Sequence, residues 1–263
     1  MRSAIKLAGM VQQHYTNINR GLLAIVPVSH IRKIPEKSCF ILLFYYICRT
    51  ALSPYLRMLG KTDMTDNKDP IVISCNIVEK EIRRLMESGR LKADLTFLSS
   101  KLHYDYSLLE KALRRTIEKS LDCGQKNIAV IYGDVCLGFK YEMKELVDTY
   151  GIVKVDAINC IDCLFGGKGQ LFQTDPEHKY FFSTPEWINF WNKFEKSGEN
   201  LKERYAMLEG IVLLDTRGDI GDYGDDIKTI SSATGLPILE KKNVGLQGLQ
   251  DVIEEALSRM EHY

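Results

Sequence analysis

The chain has 263 residues, 45% of them hydrophobic and 27% charged, and its 35 basic and 35 acidic residues give no formal net charge. This composition is ordinary for a globular protein, and the length suits one large domain or one domain with an appendage. Residues 1–63 contain nine basic and two acidic residues, which leaves 26 basic against 33 acidic in the remainder. A mildly acidic body argues against nucleic-acid binding, which needs a basic patch.

Residues 1–63 differ in pattern from the rest of the chain. Their apolar run, residues 39–48, reads CFILLFYYIC and is shorter than the roughly 20 residues that span a bilayer. A membrane anchor and an interfacial basic helix remain alternatives. Met64 opens a stretch that reads like a natural protein start. We therefore predict an N-terminal extension, residues 1–63, and a single α/β domain, residues 64–263, without a membrane partner.

From residue 70 onward, strand patterns alternate with helix patterns. The predicted strands are 70–75, 93–100, 126–136, 152–160, 210–216 and 236–242. The predicted helices are 76–89, 105–124, 141–151, 223–235 and 248–260, and residues 180–210 are first aromatic and then helical. The alternation predicts a three-layer Rossmann-like α/β domain with a mostly parallel sheet.

Potential metal ligands follow four of the predicted strands: Cys75, His103, Cys136, Cys160 and Cys163. Because ligands bind outside the carboxyl ends of parallel strands, these side chains are expected to gather along one edge of the sheet. Thiolates and imidazole are the usual ligands of zinc, and thiolates hold iron–sulfur clusters. The pattern predicts a zinc or iron–sulfur site. With seven cysteines and no secretory signal, reduced thiols and a cytoplasmic location are expected.

Each candidate ligand also has another interpretation. A free cysteine packs well in an apolar core, and Cys160 could be either a ligand or the inward residue of its strand. His103 could be an ordinary core or surface histidine. Cys160 and Cys163 also form a CxxC pair, but dithiol sites place the first cysteine at a helix N-terminus. The sequence after the pair, LFGGKGQ, does not have a helical pattern.

Further polar and glycine residues are candidates for catalysis or cofactor binding. Asp162 lies between the two cysteines and could orient a ligand or accept a proton, and Asp215 ends a predicted strand. The glycines Gly166 and Gly167 could present backbone N–H groups to a phosphate, although the run does not match a P-loop. Residues 180–191 are rich in aromatic side chains, which could wall a pocket for a flat organic ligand or pack in the core.

Five short motifs carry a resemblance to a known family: CNIVEKEI (75–82), LHYD (102–105), YGDVCLG (132–138), DCLFGG (162–167) and YFFSTPEWI (180–188). In this order they resemble the uncharacterised family called domain of unknown function 1638, found in methanogenic archaea and some anaerobic bacteria. The family pattern places ligand-type residues at Cys75, His103, Cys136 and Cys163. It also ends a cysteine loop at Gly138, a further candidate for cofactor contacts.

The resemblance implies an association with corrinoid-dependent methyl transfer, because relatives often occur beside such methyltransferase genes. We therefore expect a metal-thiolate enzyme or accessory factor of anaerobic one-carbon metabolism. The expected partner is a corrinoid protein or a methyltransferase. The alternative is a non-catalytic Rossmann-like module that binds a corrinoid, a nucleotide or a partner protein.

Overall fold

The computed structural model describes residues 69–194 and 200–260 of the chain. The prediction of an extension over residues 1–63 therefore lies outside the described residues. Residues Lys68–Tyr263 group into one compact unit. Among the described helices, none has the length and apolar content needed to cross a membrane.

Seven parallel strands form two sheets in the described residues. The strands are β1 (Ile71–Cys75), β2 (Asp94–Leu98), β3 (Ile128–Ile131), β4 (Val153–Lys154), β5 (Tyr180–Ser183), β6 (Gly210–Asp215) and β7 (Ile238–Asn243). The first sheet has the order β2-β1-β3-β4 and the second the order β5-β6-β7. Every strand pair is parallel, so all carboxyl ends within a sheet face the same way. The predicted α/β class with parallel strands is confirmed.

Helices connect these strands, as parallel pairing requires. They are α1 (Glu79–Glu87), α2 (Tyr106–Asp122), α3 (Glu142–Tyr150), α4 (Cys160–Leu164), α5 (Gln170–Thr174), α6 (Pro185–Phe194), α7 (Leu201–Arg204), α8 (Gly224–Thr234) and α9 (Gln247–Met260). Short 3-10 helices cover Asn76–Val78, Ser100–Tyr104, Asp134–Cys136 and Ile220–Tyr223.

Local sequence signals explain where several helices begin. The Asp105 side chain accepts hydrogen bonds from the backbone N–H groups of Ser107 and Leu108, so it caps α2 as its sequence position predicts. The Thr184 hydroxyl accepts from the backbone N–H of Trp187 at 3.2 Å and caps α6, with Pro185 in the first helical position. These caps place the aromatic start of α6 directly after β5.

The core explains why the central strands are so apolar. The residues of β1 after Ile71 and all of β3 are buried, which is typical of parallel strands covered on both faces. In β6, Ile211 and Leu213 belong to one buried cluster, while Val212 and Leu214 belong to another. Because successive side chains point to opposite faces, β6 is covered on both sides.

Two predicted elements differ from the structure. The predicted strand over 152–160 pairs only at Val153–Lys154, and its last residue, Cys160, begins helix α4. The interpretation of Cys160 as a strand residue is therefore wrong. Residues Tyr180–Ser183 pair with β6 and form a strand that the sequence pattern does not predict.

Candidate functional site

The five predicted metal ligands lie together at the carboxyl edge of the first sheet. Cys75, His103, Cys136, Cys160 and Cys163 all line one small cavity of about 20 Å³. We call these five residues the thiol cluster. The cavity exceeds the roughly 10–15 Å³ that one water molecule needs, so it has room for a single small guest. The expectation that strand ends bring these residues together is met by the geometry of the fold.

The exits of β1 and β2 are tied to each other. Cys75 ends β1, and its sulfur accepts the backbone N–H of Ile77 at 3.5 Å, which starts the following 3-10 turn. The Asn76 side chain accepts the backbone N–H of Ser100 at 2.8 Å. This bond holds the turn that carries His103 against the turn that follows Cys75, so both ligand candidates face the same cavity.

The exits of β3 and β4 run side by side. The backbone N–H of Asp134 donates to Ala157 at 2.9 Å, and that of Val135 donates to Ile158 at 3.2 Å. A side chain at Gly133 would lie 2.2 Å from the Ile158 carbonyl oxygen, so only glycine permits this approach. The close contact between the two loops brings Cys136 beside Cys160.

Helix α4 places two cysteines on one face. Asn159 caps the helix by accepting the backbone N–H of Asp162 at 3.0 Å, which leaves Cys160 in the first helical position. Cys163 follows three residues later and therefore points to the same side. The CxxC pair thus does begin a helix, contrary to the non-helical pattern of its sequence. Burial nevertheless raises the pKa of Cys160 to about 11, so this thiol is not activated as in dithiol sites.

His103 lies between the Ser100 carbonyl and the Cys75 sulfur. Its Nδ1 lies 3.2 Å from the Ser100 carbonyl oxygen and 3.9 Å from the Cys75 sulfur. A proton on Nδ1 donated to that carbonyl leaves Nε2 with a free lone pair. The ring stacks on Tyr132, with centroids 5.8 Å apart. Burial lowers the pKa of His103, so the neutral form that binds metals predominates at neutral pH.

The thiols are held protonated by their surroundings. Burial and, to a smaller extent, the nearby Cys160 raise the pKa of Cys136 to about 12. Burial also raises the pKa values of Cys75 and Cys163, and the neighbouring thiols contribute to both shifts. Without a cation, several negative sulfurs in one apolar site would be unfavourable. A bound cation would reverse this preference.

Three groups that the sequence analysis did not select favour the thiolate form. Lys154 lowers the pKa values of Cys136 and Cys163, and the indole N–H of Trp187 lowers that of Cys160. The Tyr132 hydroxyl acts in the same way on Cys75. Neither the Trp187 Nε1 atom nor the Tyr132 hydroxyl, both buried, has a conventional hydrogen-bond partner. Both donors are thus available to sulfur.

Within the described residues, no three His, Cys, Asp or Glu side chains already stand at metal-ligating distances. The sulfurs surround the small cavity rather than converging on one point. Coordination of a shared ion would therefore require side-chain rotations toward the cavity centre. The thiol cluster contains the donor types that zinc and iron–sulfur sites use, and in the described residues these donors are not arranged as a coordination shell.

A larger pocket of about 690 Å³ opens onto the cluster. Cys75, His103, Cys136 and Cys160 line both cavities and form the boundary between them. Aromatic side chains dominate the remaining lining, among them Tyr104, Phe181, Trp187, Phe190, Trp191 and Tyr205. We call this space the aromatic pocket. Its volume is typical of sites for organic ligands.

Asp162 has a structural environment. Its fully buried carboxylate accepts the backbone N–H groups of Ile158 (2.9 Å), Gly169 (3.1 Å) and Leu171 (2.8 Å). These bonds fold the loop around α4 and account for the buried charge. Asp162 lines neither cavity, and the structure places it behind the cluster.

The other candidates lie away from both cavities. Asp215 ends β6, where Lys241 and the backbone N–H of Gly218 contact its carboxylate. Burial raises the pKa of Asp215, but these contacts outweigh that effect and leave the pKa lowered. Gly138, Gly166 and Gly167 all have positive φ angles of 71° to 137°. Positive φ explains these glycines through backbone conformation, and none of them lines the small cavity or the aromatic pocket.

Fold and cluster together define a parallel α/β protein whose strand ends surround a small cavity with four cysteines and a histidine. A family model described as protein of unknown function (DUF1638) matches residues 97–253. The chain therefore belongs to this family, as its motifs indicate. The match includes every member of the thiol cluster except Cys75. No curated protein and no solved structure matches the chain.

Proposed function

We propose that this protein binds a thiophilic metal, as zinc or as an iron–sulfur cluster, at the thiol cluster. The observation that carries the proposal is the convergence of four cysteines and one histidine from four strand ends on a single cavity of about 20 Å³. Core packing alone does not require four thiols from three separate segments of the chain to share one void. Sulfur and imidazole donors select zinc and iron over magnesium or calcium.

The surrounding residues suit this role. Cys75, Cys136, Cys160 and Cys163 would supply sulfur, and His103 would supply a ring nitrogen. Lys154 and the Trp187 indole N–H would stabilise the bound thiolates, since both already favour that form. Such outer contacts orient ligands and tune the metal. The five described cysteines are all free thiols, which supports the proposal of a reducing, cytoplasmic location.

We extend the proposal to group transfer in anaerobic one-carbon metabolism. When bound, such a metal supplies Lewis acidity or an electron-transfer centre and stabilises thiolates. The aromatic pocket would hold an organic substrate directly against these sulfurs. The proposed partner, a corrinoid protein or a methyltransferase, rests on the family resemblance. A non-catalytic binding module is the alternative, and its ligand affinity would survive replacement of the cysteines.

Replacing Cys136 with serine is expected to remove most of the bound metal. Cys136 belongs to the cluster and lines both cavities, so its loss removes a central sulfur. The full chain would be produced without oxygen, and zinc, iron and acid-labile sulfide would be measured per chain. We expect about one zinc per chain, or iron with matching sulfide, before the substitution.

Cys123→Ser is the matched control, because Cys123 is an exposed thiol at the end of α2. It is expected to keep the full metal content. Equal metal content in the two variants would show that the metal binds elsewhere. A metal-free, fully stable unsubstituted chain would overturn the proposal.

Metal affinity is expected to rise steeply with pH. The free thiols are protonated well above neutral pH, since burial raises the pKa values of Cys160 and Cys136 to about 11 and 12. Each thiol that binds metal must release its proton, whereas neutral His103 releases none. Apparent affinity should therefore grow about tenfold per pH unit for each thiolate formed. Chelator competition at pH 6, 7 and 8 measures the slope; a slope near zero would contradict thiolate ligation.

A further inference from the structure

Two cavities of very different size share one wall. The small cavity of about 20 Å³ has room for one small guest, and the aromatic pocket of about 690 Å³ has a volume typical of sites for organic ligands. Cys75, Ile77, His103, Cys136 and Cys160 line both spaces and make up the wall. A guest in the small cavity therefore lies one layer of side chains from the pocket.

The wall carries thiols that face the pocket. Cys136 and Cys160 are half-buried, whereas Cys75 and Cys163 are buried. Cys136 follows β3 and Cys160 follows β4, and backbone hydrogen bonds hold the two exit loops together. The paired loops present two sulfurs, next to each other, to a ligand that enters through the pocket.

The two spaces favour different parts of a ligand. Aliphatic and aromatic side chains, among them Val135, Ile161 and Phe181, provide most of the pocket lining. Such a lining favours an apolar organic group, because burial removes that group from water. Thiolates favour soft metal and metalloid atoms. One molecule that carries a soft atom and an organic group would satisfy both spaces at once.

We propose that the two cavities together bind an organic compound of a soft metal or metalloid. Cys136 and Cys160 bind the soft atom, and its organic group occupies the aromatic pocket. Such a ligand needs only two thiolates, so it does not depend on three donors at metal-ligating distances, an arrangement that the described residues lack. This goes beyond the proposed function, since it assigns an organic ligand to the same thiols and requires no resident metal.

The probe is phenylarsine oxide, because trivalent arsenic is a soft atom that binds two thiols. Two arsenic–sulfur bonds form, the two thiol protons combine with the arsenic-bound oxygen, and this oxygen leaves as water. Arsenic stays trivalent, so the reaction needs no oxidant or reductant. Methylarsine oxide reacts in the same way and carries a much smaller organic group. Competition with 2,3-dimercaptopropanol measures both affinities, and their ratio cancels the strength of the arsenic–sulfur bonds.

The full chain is prepared so that only the thiol cluster can react. Cys39, Cys48 and Cys123 do not belong to the cluster, and their replacement by serine leaves its four thiols in place. The chain is purified without oxygen, and zinc, iron and acid-labile sulfide are measured per chain. A chelator then removes any metal before the arsenicals are added.

We expect the preference for phenylarsine oxide over methylarsine oxide to be about tenfold larger in the chain than in the free dithiol, because the phenyl group leaves water for the pocket. Val135→Phe should abolish most of this excess, since Val135 lines the pocket and not the small cavity. Val135→Ala is the matched control and should keep the excess. The double variant Cys136→Ser, Cys160→Ser should bind both arsenicals more weakly.

An equal preference in the chain and in the free dithiol overturns the proposal, and this comparison does not depend on any Val135 variant. Equal phenyl preference in folded Val135→Phe and Val135→Ala overturns it as well, as does undiminished binding in the double cysteine variant. Metal in the isolated chain without the phenyl preference supports the proposed function and overturns the organic ligand. The phenyl preference in a chain isolated without metal supports the organic ligand alone.

Discussion

Replacing Arg217 with methionine is expected to lower the free energy of unfolding by about 3–5 kcal/mol, because it leaves a buried carboxylate without its counter-charge. Arg217 Nη1 lies 2.5 Å from Glu81 Oε1, and the Thr216 hydroxyl donates to the same oxygen at 2.7 Å. Glu81 is almost completely buried, and its second oxygen has no hydrogen-bond partner. Methionine preserves much of the packing volume of arginine and removes the charge.

The loss should depend on pH in a defined direction. Burial already raises the pKa of Glu81, and Arg217 opposes that shift. Without Arg217 the folded-state pKa of Glu81 rises further. A group with a raised folded-state pKa stabilises the fold when it is protonated, and this contribution is lost as pH rises. The deficit of the variant should therefore be smaller in acid and larger at neutral pH, as measured by urea unfolding across that range.

Lys228→Met is the matched control, because Lys228 pairs with Asp225 at an exposed position on α8. Exposed pairs of this kind contribute little, and the change should stay within about 0.5 kcal/mol. The double variant Arg217→Met, Glu81→Gln should recover part of the loss. If Arg217→Met costs no more than Lys228→Met, the buried pair does not stabilise the fold as argued.

The Glu81–Arg217 pair also connects the two sheets at their carboxyl edges. Glu81 lies in the first turn of α1, shortly after the end of β1, and Arg217 follows β6. Arg217 also contacts Glu186 of α6 at 3.5 Å. Burial is the main cause of the raised pKa of Cys160, and the charge of Glu81 adds to it.

The sequence predicts the parts of the fold that depend on local pattern. The apolar β-branched runs of β1 and β3 identify buried strands, and the Asp105 and Thr184 caps mark helix starts. The sequence does not predict strand β5, because this segment forms a strand by pairing with β6, which lies about 30 residues further along the chain. The sequence does not predict helix α4 either, because its five residues are too few to show a 3.6-residue period.

The sequence also predicts that the cysteines lie close together, but it does not predict which other side chains contact them. Parallel strands share one carboxyl edge, so residues that follow their ends must be neighbours. The groups that act on the thiols, Lys154, Tyr132 and Trp187, come from different elements and carry no common motif. The sequence suggests a catalytic role for the Asp162 carboxylate, but in the fold this carboxylate accepts hydrogen bonds from three backbone N–H groups.

The loops that follow β3 and β4 are in close contact at Gly133. Gly133→Ala is expected to destabilise the protein by about 1–3 kcal/mol and to remove most of its bound metal. The added carbon would lie 2.2 Å from the Ile158 carbonyl oxygen and 2.4 Å from the Asn159 nitrogen. These are backbone atoms, so the loops must separate, and Cys136 then moves away from Cys160. Thermal unfolding and metal content per chain are the measurements.

Gly221→Ala provides the matched control, since Gly221 does not have a positive φ angle and an added carbon there would meet no atom within 4 Å. Both its stability and its metal content should stay unchanged, within about 0.5 kcal/mol for stability. A strong loss of stability in Gly133→Ala with metal content retained would mean that the loop contact supports the fold and leaves the cluster unaffected. Loss of metal in a variant that still unfolds cooperatively would show instead that the spacing of Cys136 and Cys160, set by one glycine, decides whether the cluster can bind.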